Sequence, residues 1–158
     1  MSVTADILES WRRPRAVMRR LLGQPRSEPF AFSLLVTGLI LLFVSLTPFL
    51  AREAYLKPDQ PLPQRLLAAA LAMAATVPVW YLLAAVGHVV VWAMGGKGSF
   101  YGGRLALFWA LVAAAPALLT SGMVRGMVGG VGSDVIGIIA AGVFVLFWIL
   151  MLHEAERA

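Results

Sequence analysis

The sequence predicts an all-α polytopic membrane bundle of four transmembrane helices, or five, preceded by an interfacial amphipathic helix. Three observations carry that prediction. Apolar residues make up 60% of the 158 and charged residues only 13%, with a mean hydropathy of +0.83; a water-soluble chain of this size needs more polar cover. The apolar residues gather in four long runs, at about 30–50, 66–94, 104–125 and 134–152, each near the roughly 20 residues that cross a ~30 Å hydrocarbon core. Alternation of apolar and polar residues is missing from all four, which favours helices over barrel strands.

Residues 1–29 form a basic arm and 30–153 the transmembrane domain. On a helical wheel Val3, Ile7, Trp11, Val17, Met18, Leu21 and Leu22 gather on one side of the arm, opposite Arg12, Arg13, Arg15, Arg19 and Arg20. Such a segment lies in the membrane interface, with its arginines on anionic headgroups. Pro14 predicts a kink or two short helices around Ser10 to Pro14. The arm holds no short apolar core ending in a cleavage site, so the first run itself serves as the insertion signal.

The first run, Phe30 to Leu50, holds no ionisable side chain, and the second, Leu66 to Met94, holds only His88. The third, between Arg104 and Arg125, carries Pro116 near its middle, where a kink is expected rather than a break. The fourth follows Ser133 and Asp134, expected as its capping residues, and ends at His153 and Glu154. With the N-terminus inside, the arm, the second loop and the tail place nine cations in the cytoplasm, against four outside. The positive-inside rule favours that orientation.

Chemistry within the spans is sparse. His88 lies six residues before Met94, about 9 Å along the axis at ~1.5 Å per residue. A neutral imidazole bonded to a neighbouring helix is the plain account, and a pathway near His88 and Pro116 in a small transporter or transporter subunit is the alternative. Lys97 in Gly-Gly-Lys-Gly-Ser lacks the Walker spacing and reads as a tight turn. No Gly-x-Ser-x-Gly elbow, His-Glu-x-x-His helix or paired carboxylates occur in the spans, and cysteine is absent. No enzyme, cofactor or metal is therefore expected. The net charge of +5 is mostly the arm's, so no nucleic-acid partner is expected either.

Packing signals are richer. Gly122, Gly126 and Gly130 recur every fourth residue, and Ser133, Gly137 and Ala141 continue a small-residue ridge into the fourth run. Small residues let helices approach closely, so the ridge predicts packing of the third span on the fourth, or a face for a membrane-protein partner or a second copy.

The arm ILESWRRPRAVMRRLL and the stretch GGKGSFYGGRLALFWALVAAAPALL resemble the bacterial branch of the Yip domain family, small multi-span proteins whose eukaryotic members interact with Rab-type GTPases. The matching positions are Pro14 and Arg15, then Gly95, Gly96 and Gly98, then Pro116. The resemblance implies a non-enzymatic protein of the bacterial inner membrane, usually with five spans where the runs here give four. It carries the fold and not the trafficking role. The functional expectation is a scaffold that binds partners or organises the membrane through the arm and the glycine ridge.

Overall fold

The computed structural model describes residues 3–157, and every element among them is helical. In chain order these are α1 (Val3–Arg12), α2 (Pro14–Leu22), α3 (Glu28–Leu56), α4 (Leu62–Ala75), α5 (Val77–Ala93), α6 (Phe100–Ala113), α7 (Ala115–Met127) and α8 (Val131–Ala155). Local chemistry sets most of the boundaries. The Ser27 hydroxyl accepts from the Phe30 N–H at 3.3 Å to start α3, and Ser99 does the same for Gly102 at 3.2 Å to start α6. Both satisfy amide groups that a helix start leaves without partners.

Prolines divide the second and third apolar runs. Pro78 lies in the first turn of α5 and Pro116 in that of α7, and neither can donate to the preceding turn. At the first break the Thr76 hydroxyl donates to the Met73 carbonyl at 2.6 Å and accepts from the Trp80 indole at 3.1 Å, so α4 and α5 continue as one crossing of 32 residues. At the second the helix is broken at Ala114 and the axis bends by 45°, where the sequence suggested a kink without a break. With 14 residues in α6 and 13 in α7, each falls short of the roughly 20 needed alone. α3, the α4–α5 pair and α8 are thus long and apolar enough to cross a membrane, and the bent α6–α7 pair brings the candidate crossings to four if it forms one span.

The start of α8 departs from expectation. The helix begins at Val131 behind Gly130, whose φ of 76° needs the freedom of glycine. Ser133 and Asp134 therefore fall inside the first turn rather than capping it. The Ser133 hydroxyl donates back to the Gly130 carbonyl at 2.7 Å, and Asp134 complements the positive helix start.

The bundle is built around α6. Every side chain from Leu105 to Ala115 is buried, because α3, α5, α8 and both arm helices surround it. Alanines and glycines along α6 let those neighbours come close, which dispersion rewards in a membrane. The α4–α5 crossing is peripheral, with none of its most apolar stretch buried.

Candidate functional site

At the end of the bundle that bears the arm, Glu156 is drawn inward. It follows α8 in sequence yet is only 3% exposed, and His88 on α5 only 5%. The His88 Nδ1 and the Glu156 Oε1 form a buried hydrogen bond. The other carboxylate oxygen accepts from the Gly98 N–H at 3.1 Å, and the Glu156 carbonyl accepts from the Lys97 N–H at 2.9 Å. Phe100 covers the imidazole edge-on, ring centres 4.3 Å apart.

Close approach makes this possible. A Cβ added at Gly98 would lie 2.9 Å from the Glu156 Cα, and one at Gly103 would lie 3.0 Å from the His88 Cβ. The turn Gly95-Gly96-Lys97-Gly98 thus cradles the end of α8, with Gly95 at a φ of 100°. Whichever partner carries the proton, removing the other leaves an uncompensated buried polar group.

Glu156 escapes a reading of the sequence because it sits in a polar tail beside Glu154 and Arg157. The signal that could have found it is spacing. Trp148, Leu152 and Glu156 recur every fourth residue along one stripe that runs from α8 into its C-cap, and Trp148 and Leu152 both abut Gly87, one residue before His88.

The arm is part of the bundle. Arg13 separates α1 from α2, within the predicted kink, and the two helices fold back so that Arg20 meets Asp6 at 2.5 Å and Glu9 at 2.9 Å. The hydrogen bond that Arg20 donates to Glu9, with the charge of both carboxylates, holds its guanidinium more firmly protonated than usual. Val17, Met18 and Leu21 are buried where α2 packs on α8 and α6. These three residues of the apolar stripe thus cover protein, where the sequence suggested lipid, while Val3 and Trp11 of the same stripe stay exposed.

Polar contacts tie the hairpin tip to α6. The Trp109 indole donates to the Ser10 hydroxyl at 3.0 Å. The Trp11 indole donates to the carbonyl of Ala113 at 3.0 Å, at the helix end exposed by the bend, and its ring meets Phe147 edge-on at 5.3 Å. Arg19 pairs with Glu154 at 3.2 Å. Arg12, Arg13 and Arg15 are exposed and have no ion-pair partner among the described residues.

The glycine ridge is divided between two neighbours. A Cβ on Gly122 would strike the backbone of Ser45, and one on Gly126 would strike Pro48, so these two face α3 and not α8. Gly137 lies 3.9 Å from the Arg125 Cδ by the same construction, and Gly130 forms the turn into α8. The single continuous face expected from spacing is therefore absent, and Gly122 and Gly126 are occupied within the chain. Arg125 stacks over Phe49 at 5.4 Å and approaches Asp134 at 3.6 Å. These groups border a cavity of about 340 Å³ with Ser45 and Ser121 in its wall.

His88 and Pro116 are not brought together. His88 lies in the arm-side junction, whereas Pro116 is an exposed residue at the bend.

Comparison with known proteins agrees with this architecture. The family model described as the Yip1 domain matches residues 8–156, from the arm to the glutamate that closes on His88. No curated protein and no solved structure matches the chain. The match spans nearly the whole sequence and α3, the α4–α5 pair and α8 are long and apolar enough to cross a membrane, so the chain belongs to the Yip1 domain family of membrane proteins.

Proposed function

We propose that this Yip-family protein is a non-enzymatic scaffold of a bacterial inner membrane, with its N-terminus in the cytoplasm, that binds a partner at the tip of its arm. The observation that carries this reading is unpaired charge placed far along the α6–α7 pair. Trp11 reaches Ala113, thirteen residues into the α6–α7 crossing, which is about 20 Å along the axis at ~1.5 Å per residue. Arg12 and Arg13 follow it immediately, exposed and without a described ion-pair partner. An arginine held at bilayer depth costs about 2.5–3.5 kcal/mol on insertion scales, unless it snorkels or a partner covers it. Leu8, Glu9 and Trp11 line a recess of about 550 Å³ with the same two arginines, so the tip offers apolar and charged groups together.

Purification from native membranes in gentle detergent tests the proposal, comparing wild type with R12E/R13E. A reproducible co-purifying protein that the double variant loses supports the tip as the contact. Retention of the same proteins by both removes it.

The buried His88–Glu156 couple favours a second reading, a small transporter or transporter subunit, because buried acid and base groups mark proton pathways in carriers. Solute flux into liposomes that His88→Ala abolishes would replace the scaffold reading.

A further inference from the structure

An open groove of about 600 Å³ runs between α5 and α8 toward the arm-side end of the bundle. Val86, Val90, Trp148 and Ile149 give it apolar walls, and Arg15 and His153 belong to the same lining. Three cations at this end are neutralised within the chain, Arg19 by Glu154, Arg20 by Asp6 and Glu9, and Arg104 by Glu28, while Arg26, Lys97 and Arg157 have no ion pair among the described residues but lie outside the groove lining. Arg15 and His153 combine the lack of a partner with a place in the groove wall. Both are exposed and neither has an ion-pair partner among the described residues, while the nearest carboxylate in sequence, Glu154, is engaged by Arg19.

We propose that this groove binds one anionic glycerophospholipid, its phosphate held between Arg15 and His153 and an acyl chain laid along Val86, Val90 and Trp148. The inference rests on the membrane-embedded reading and adds a defined site to it. Apolar walls alone accept any acyl chain. A cation left without a protein anion beside them distinguishes headgroups, because a zwitterionic lipid brings its own compensating ammonium. Arginine suits the role through its planar fork of donors, and the imidazole adds a further N–H. His153 is five residues beyond Trp148, about 7.5 Å along α8 at ~1.5 Å per residue, so a phosphate at His153 leaves the chain beneath it level with the indole.

Native mass spectrometry of the full chain in detergent tests this, titrating phosphatidylglycerol against phosphatidylcholine of the same acyl composition. Wild type is expected to retain phosphatidylglycerol preferentially. R15Q should weaken that retention roughly fivefold, the equivalent of one membrane-proximal cation, and leave phosphatidylcholine unchanged. R26Q removes an arm charge outside the groove and should have no effect, whereas V90W, which fills the groove, should weaken both lipids.

Equal retention of the two lipids by wild type overturns the site, as does a loss in R15Q no larger than in R26Q. Displacement of the lipid by inorganic phosphate alone would show a free-anion site and overturn the lipid assignment. The wild-type comparison and V90W decide the matter even if R15Q folds poorly. Failure to recover the chain from the membrane fraction would sink the membrane reading itself, a result distinct from equal retention by recovered protein.

Discussion

The two ends of the bundle are joined by different balances of the same forces. At the arm-side end, polar side chains meet across helices: His88 with Glu156, Arg104 with Glu28 at 2.5 Å, Arg19 with Glu154 at 3.2 Å, and the Ser27 N–H with the Tyr101 hydroxyl at 3.3 Å. Toward the opposite end, α7 approaches α3 so closely that Gly122 and Gly126 leave no room for a Cβ beside Ser45 and Pro48. Lipid tails are as apolar as leucine, so apolar surface alone does not pull helices together in a bilayer. Adhesion there needs polar contacts or close backbone approach; polar pairs predominate at the arm-side end, beside the close approach of Gly98 and Gly103, and close approach predominates at the other, beside the Arg125–Asp134 pair at 3.6 Å. Polar joints respond to protonation and salt; dispersive ones respond to shape alone.

The largest expected effect breaks the polar end. Glu156→Ala should destabilise the protein by about 3–5 kcal/mol, since it leaves His88 buried without its partner. Thermal unfolding in detergent measures this. The double variant H88L/E156L should recover much of the loss, because replacing both partners removes the orphaned group. Strict additivity of the two single variants would show that the pair does not act as a unit. Next in size is Gly126→Leu, expected to cost about 1–3 kcal/mol or more through overpacking. Because the obstruction is Pro48 of the same chain, the loss should appear in the monomer and be insensitive to salt. Normal unfolding of G126L would refute close approach as the joint at that end.

The same contrast explains what the sequence disclosed. Three of the four apolar runs correspond to helices long enough to cross and the third run to a bent pair, Pro116 to the bend, and Pro14 to the division of the arm, since each depends on local length or on proline's missing N–H. Neighbours were less legible. The run Leu105 to Ala113 is apolar on all sides, and a helix of that kind is equally consistent with the bundle centre or with lipid. Its central place follows only from what surrounds it. Gly122 and Gly126 announced a small face but not which helix fills it, so α8 was expected where α3 is found. The arm's apolar stripe fitted lipid and protein alike until Met18 and Leu21 proved to be buried. Glu156 was hidden because its partners come from α5 and the turn before α6, 68 and 58 positions away in sequence.

The smallest effect is the most discriminating, because it asks whether the arm belongs to the bundle. Trp11→Phe keeps an aromatic ring for the edge contact with Phe147 and removes only the hydrogen bond to Ala113, worth about 0.5–1.5 kcal/mol. If the arm is an integral wall of the α6 core, W11F should lower the unfolding temperature of the whole chain and speed protease cleavage within residues 3–22. If it merely rests on the membrane surface, bundle unfolding should be unchanged while only membrane affinity of the arm alters. An unchanged unfolding temperature with unchanged cleavage would detach the hairpin from the fold, and would remove the depth argument for Arg12 and Arg13 with it. That argument requires Trp11 to be anchored where the α6–α7 crossing bends.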